Sequence, residues 1–354
     1  MLFSELTGQE GVRTHLQNAI RNDTVSHAYL LFGEAGMGKR TVARLFAQTI
    51  QCTDRRDNGG VTEPCGACTS CIQAMNDTHP DIRILSPAKA SSIGVDDIRE
   101  QIVEDSFYKP FASAKKIYLV PDAEKMTAGA QNALLKTLEE PPSYVTILLL
   151  SNNESAFLPT ILSRVVQLPL QPVSDVAIKR YLMKQCRVTD YRAHLAVQFA
   201  MGNIGRARTL ALSDTFAERL RRTTGLLSDL NRMQIVRMNA VVQEILSIRE
   251  ETEEEEDASD AKARRKQAVE DFLQILTALC RDMLVYKAVA RDDLLIFAGE
   301  MSYISKACEC LSFADIAQTI EDILHAEGQL RANGNADLIL QILLMNLKER
   351  IQTA

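Results

Sequence analysis

Between Gly33 and Arg40 the chain reads GEAGMGKR, and the five residues before it, Ala28–Phe32, are AYLLF. A short apolar strand, a glycine turn and a helical pattern from Lys39 to Gln51 follow one another in the order a phosphate loop requires. Gly33, Gly36 and Gly38 let backbone N–H groups turn toward an anion, Lys39 would reach β- and γ-phosphates, and the helix behind presents its positive end. This order commits the first part of the chain to a nucleotide fold. The last position departs from the pattern: Arg40 stands where a Ser or Thr would hold magnesium. Thr41 comes one residue late, about 100° around the helix, and does not replace the missing hydroxyl.

A hydrolytic site also needs acids at the end of a neighbouring strand. Lys116–Val120 supplies such a strand, but it runs on as Pro121-Asp122-Ala123-Glu124. Proline sits at the first acidic position, and Asp122 stands where a glutamate is expected. Phosphate binding is retained in this reading and hydrolysis is not, which leaves ATP or ADP as a ligand open.

The pattern around the loop alternates strands with helices. A helix is predicted over about Gln9–Arg21, strands at Asp81–Leu85 and Val145–Leu150, and helices at Val95–Glu104 and Ala128–Glu139, the last stopped by Pro141 and Pro142. Alternation of this kind implies a parallel, doubly wound sheet. Beyond Leu168 strand signals cease. Val173–Gln185, Tyr191–Met201 and Arg206–Leu212 read as three short helices, and the text from Thr215 onward is helical. An acidic run, Glu250–Asp257, precedes the basic cluster Lys262, Arg264, Arg265 and Lys266, and the run reads as a solvated helix extension or mobile loop in preference to a binding tail. The expected domains are an α/β P-loop domain over 1–168, a small helical domain over 169–213 and an all-α domain over 214–354. A length of 354 residues agrees, since single cores seldom exceed about 250–300 residues.

Cys52, Cys65, Cys68 and Cys71 are spaced C-x12-C-x2-C-x2-C, with Gly59, Gly60, Pro64 and Gly66 supplying turns. Four thiolates at this spacing predict a closed structural zinc site, with no position open for catalysis. Cys186, Cys280, Cys308 and Cys310 read as packing residues, with Cys308 and Cys310 reactive if exposed. No apolar run is long enough to span a membrane, and MLFSELTGQE lacks a basic secretory region, so a cytoplasmic chain with reduced thiols is expected. The net charge of −6 argues against a chain that grips nucleic acid strongly by itself.

The phosphate loop and cysteine module, with His79-Pro80-Asp81, NALLKTLEEPP (Asn132–Pro142) and LPTILSRVVQL (Leu158–Leu168), resemble the bacterial DNA polymerase III clamp-loader subunits of the AAA+ class. The resemblance covers residues 1–210 well and the later helices more loosely. It implies an AAA+ domain with a five-stranded parallel sheet and a zinc-knuckle insertion, a helical lid and a C-terminal collar. Of the family's types, gamma/tau is an ATP-hydrolysing motor, whereas delta-prime has a degenerate nucleotide site. Arg40 and Pro121 point to the second type; an active motor that tolerates Arg40, and a zinc-containing adaptor outside replication, are the alternatives.

The resemblance further implies residue roles. Ser163-Arg164 falls on the family's Ser-Arg-Cys motif, with Val165 replacing its cysteine, so that Arg164 would reach a neighbouring subunit's ATP. Asn152 or Asn153 matches the sensor position facing the γ-phosphate. GNIGRAR (Gly202–Arg208) matches the second sensor, with Gly205 in the arginine's place and Arg206 one residue late. The implied partners are gamma/tau and delta subunits, the sliding clamp and primed DNA, the DNA touched only through the assembled ring and largely at phosphates, with no membrane contact.

Overall fold

A computed structural model describes residues 2–230, 232–247, 258–332 and 334–353. The acidic run Glu250–Asp257 lies outside the described residues. The chain forms two compact units, one of residues 1–185 and 200–208, the other of 186–199 and 209–354. The boundary falls within the segment 169–213.

The first unit opens with helix α1 (Glu10–Arg21) and strand β1 (Ala28–Phe32), then helix α2 (Lys39–Gln51). The cysteine segment carries strands β2 (Arg56–Asn58) and β3 (Val61–Glu63) and helix α3 (Thr69–Met75). Next come β4 (Ile82–Ile84), the short α4 (Val95–Ile98) running on into a π-helical segment Arg99–Glu104, and β5 (Lys116–Val120). Helix α5 (Ala128–Glu139), β6 (Val145–Ser151), α6 (Pro159–Leu162), β7 (Val166–Pro169) and α7 (Asp175–Gln185) complete the series. The main sheet is five-stranded in the order β4-β5-β6-β1-β7, and every pairing is parallel.

Burial on both faces explains the composition of the central strands. Every residue of β5 and β6 is buried, and their sequences KIYLV and VTILLLS are nearly continuous apolar runs. Tyr29, Leu31, Phe46 and Leu148 belong to the core on one face of the sheet, Leu30, Val120, Leu134 and Leu149 to the core on the other. Lys116 is the exception within β5: its ammonium reaches Asp105 Oδ2 at 2.7 Å and the Asp105 carbonyl at 2.8 Å.

The hairpin β2–β3 was not foreseen from sequence. Asn58 pairs with Val61 across Gly59-Gly60, and both glycines take positive φ (61° and 84°), as a two-residue turn matched to strand twist requires. It is tied to α1 by a reciprocal pair, Gln17 Nε2 to the Thr62 carbonyl (3.0 Å) and Thr62 N–H to Gln17 Oε1 (2.7 Å).

Helix α8 (Asp190–Ala200) contributes mainly to the second unit, and α9 (Ile204–Leu212) is divided between the two. The rest of the second unit is helical among the described residues: α10 (Asp214–Asp229), α11 (Ile235–Leu246), α12 (Ala258–Val289), α13 (Met301–Cys310), α14 (Phe313–Arg331) and α15 (Ala336–Thr353). Helix α12 is its axis, with Phe272, Ile275, Leu276 and Leu279 fully buried in one apolar core. A buried ion pair crosses it, Arg219 Nη1 to Asp271 Oδ2 at 2.6 Å. The wholly buried Asp282 accepts the N–H groups of Ile296 (3.1 Å) and Phe297 (2.8 Å). Cys280 and Cys308 are buried, and Cys310 is exposed.

Candidate functional site

In a parallel sheet the loops at the carboxyl ends of the strands converge, most closely where strand order reverses. Here β1 lies between β6 and β7, so Gly33 follows β1 beside the turn after β6, and the Gly33 N–H donates to the Ser151 carbonyl at 3.2 Å. Gly33, Gly36 and Gly38 all take positive φ (148°, 88° and 93°). That backbone is open to glycine and strained for other residues.

Lys39, the first residue of α2, turns back over this loop. Its Nζ donates to the carbonyls of Gly33 (2.5 Å) and Glu34 (2.8 Å) and to Asn152 Oδ1 (2.8 Å). Burial holds the ammonium's pKa below its ordinary value, an effect that Glu124, Asp122 and Glu34 partly offset. Arg40 and Thr41 are exposed in the first turn of α2.

The structure separates the two asparagines after β6. Asn152 links Lys39 to Glu124: its Nδ2 donates to Glu124 Oε1 at 2.7 Å and its N–H to Oε2 at 3.2 Å. Asn153 caps the next turn, accepting the Ser155 N–H at 2.9 Å. The acid joined to this chain is therefore Glu124, a residue to which the sequence reading assigned no role. Asp122 adopts left-handed backbone (φ 48°) and pairs with Lys125 at 3.0 Å. It influences Lys39 through space alone.

The start of α9 is packed against the tip of the glycine loop. Gly205 N–H donates to the Gly36 carbonyl at 3.0 Å, and a Cβ on Gly205 would stand 2.5 Å from that oxygen. Asn203 straps the same tip: its Nδ2 donates to the Ala35 carbonyl at 2.7 Å, while its Oδ1 accepts the Arg206 N–H at 3.0 Å. Asn203 also escaped the sequence reading, because nothing local marks it. Position 205 is therefore fixed as glycine by packing against the loop backbone. No side chain fits there.

Arg164 lies apart from these groups, after α6. Its Nη1 donates to the Thr160 carbonyl (3.0 Å) and to Ser163 Oγ (3.2 Å), and its Nη2 meets Glu139 Oε1 at 2.9 Å. Its side chain is 35% exposed.

The four cysteines converge, with all their sulfurs within 4.8 Å of one another. Cys52 and Cys68 are 4.0 Å apart, as are Cys65 and Cys71. A tetrahedral ion with metal–sulfur bonds of about 2.3 Å needs sulfurs about 3.8 Å apart, so the cluster fits a metal with little adjustment. Backbone N–H groups of Cys65, Cys68 and Cys71 already point at the sulfurs of Cys52, Cys65 and Cys68 (3.3, 3.3 and 3.4 Å), which suits thiolate charge. A metal held by all four sulfurs would have no coordination position open for catalysis.

Beyond the cysteines, Asp81 organises a neighbouring loop. Its carboxylate accepts three successive N–H groups, from Phe111 (2.6 Å), Ala112 (2.7 Å) and Ser113 (2.9 Å). His79 Nδ1 accepts the Asp81 N–H at 3.1 Å, and burial lowers the pKa of that imidazole, with Asp81 opposing. The His-Pro-Asp run is a structural clasp.

A parallel sheet carrying a glycine phosphate loop, with an asparagine and an acid presented from the adjoining strand ends, defines a P-loop α/β protein of the AAA+ type. The profile of the family described as "DNA polymerase III, delta subunit" matches residues 8–174. DNA polymerase III subunit delta' of Bacillus subtilis is 28% identical over 344 residues, covering 96% of this chain and 96% of that protein. DNA polymerase III subunit tau/gamma of Haemophilus influenzae is 36% identical over 180 residues, covering 51% of this chain and 25% of that protein. The chain is thus similar to clamp-loader subunits of DNA polymerase III, of both the delta' and the gamma/tau kind. It spans nearly the whole delta' relative but only a quarter of the tau/gamma one. No helix among the described residues is long and apolar enough to cross a membrane.

Proposed function

We infer that this chain is a delta-prime-type subunit of a clamp loader, a stator that serves its neighbours' ATP sites and turns over little or no ATP itself. One observation carries the reading: the phosphate loop is engaged by its own chain. Lys39 is spent on two loop carbonyls and Asn152, and Gly205 and Asn203 close on the loop tip. The magnesium-binding hydroxyl is replaced by Arg40 and the first strand-end acid by Pro121. The match over nearly the full length of a delta' relative agrees.

In this reading Arg164 is the active contribution, offered in trans to the γ-phosphate of ATP on a gamma/tau subunit. The four cysteines hold zinc, which stabilises their segment and takes no part in chemistry. The helical unit serves as a collar, and the sliding clamp and primed DNA are met through the assembled ring with gamma/tau and delta subunits.

The test is reconstitution with motor and delta-type subunits, the clamp and primed DNA. Arg164→Ala is expected to suppress clamp loading and the ATP turnover of the adjoining site, where a finger in trans supplies about 10³–10⁵ in rate. Undiminished turnover would refute the role. The isolated chain is expected to show no ATPase that Lys39→Ala abolishes; robust Lys39-dependent turnover would instead make it a motor.

A further inference from the structure

Much of the Arg164 guanidinium is already committed within its own unit. Nη1 donates to the Thr160 carbonyl and Ser163 Oγ, and Nη2 forms an ion pair with Glu139 Oε1 at 2.9 Å. Among the described residues Arg164 has no other partner, which leaves the Nε–H uncommitted. A guanidinium is planar and presents its N–H groups in a fixed fork, which suits it to phosphate oxygens once its pose is set.

Glu139 stands where a helix least favours an acid. It is the last residue of α5 and is followed by Glu140, at the end where the helix dipole is negative and cations are preferred. Its pairing with Arg164 does not explain this by stability. The two side chains are 50% and 35% exposed, and exposed pairs contribute about 0–1 kcal/mol. What the contact does supply is restriction. An unsupported arginine carries about 2 kcal/mol of rotamer entropy that an arriving anion would have to remove.

We propose that Glu139 is a positioning residue for Arg164. Acting at Nη2 while Thr160 and Ser163 act at Nη1, it holds the guanidinium in one pose, ready for the polyphosphate of a nucleotide on an adjoining subunit. The inference rests on the trans role proposed for Arg164 and adds to it the residue that makes the finger ready before the nucleotide arrives.

The test is a double-mutant cycle in the reconstituted assembly, reading ATP turnover stimulated by clamp and primed DNA. Glu139→Ala is expected to lower kcat about fivefold with KM for ATP little changed, since the neighbour binds its nucleotide through its own loop. In an Arg164→Ala background the same substitution is expected to have no further effect. Unchanged kcat in Glu139→Ala, with Arg164→Ala impaired, overturns this inference and leaves the finger standing. An equal loss in both backgrounds also overturns it, assigning Glu139 to the fold of α5. If Arg164→Ala itself changes nothing, the finger fails, and the positioning role with it.

Discussion

Gly205 and Asp105 show how much rests on single side chains. A methyl group at 205 would sit 2.5 Å from the Gly36 carbonyl oxygen and 2.8 Å from the Gly36 Cα. Backbone atoms cannot yield as a flexible side chain can, so Gly205→Arg is expected to cost about 1–3 kcal/mol in denaturant unfolding and to restore no hydrolysis. Asp105 is held by the Lys116 ammonium and by the Tyr118 hydroxyl, which donates to Oδ2 at 2.7 Å. Burial alone would raise its pKa, but these two donors outweigh burial and hold the carboxyl below its ordinary value. A carboxyl depressed in the folded state adds stability above its unfolded pKa and loses it as pH falls through the folded value. Asp105→Asn should therefore flatten the acid side of the stability–pH curve and leave its slope near neutrality unchanged. Tyr118 shifts the opposite way, pushed up by burial and then by the Asp105 charge.

Strands and helices that obey one local rule could be read from sequence alone. Lys116–Val120 appears with the bounds expected of an apolar run buried on both faces, and Ala128–Glu139 ends where two prolines forbid its continuation. The hairpin in the cysteine segment carried a readable signal, Asn58-Gly59-Gly60, but strands of three residues are too short for periodicity to announce. Glu124 was hidden for another reason. After Pro121 the backbone enters the left-handed region at Asp122, and the single turn Ala123–Lys125 that follows delivers Glu124, not Asp122, to Asn152. That reversal is a property of the turn and has no counterpart in residue spacing. For the cysteine segment, the expected outcome is one zinc per chain by elemental analysis, lost in Cys68→Ser. Removing zinc that had been present at about a hundred times its dissociation constant should withdraw about 2.7 kcal/mol from the first unit.

Two compact units with separate cores should respond separately to damage. Asp271→Ala would strand Arg219, which is 5% exposed, among apolar neighbours and cost the helical unit about 3–5 kcal/mol. Replacing both partners by apolar residues, Arg219→Met with Asp271→Leu, should recover most of that loss. In calorimetry the Asp271→Ala transition is expected to move while the transition sensitive to chelators stays in place; coincident movement of both would show a single cooperative block.

In the stator role proposed for this chain, the ammonium curled over its own glycine turn has a further meaning for how such an assembly keeps time. A machine driven by cycles of fuel needs at least one part whose shape carries no record of the cycle, or its moving members have nothing to push against. Amide hydrogens along Gly33–Gly38 should then exchange at the same pace in ATP, in ADP and in buffer alone, while those of the burning neighbours rise and fall with each turnover.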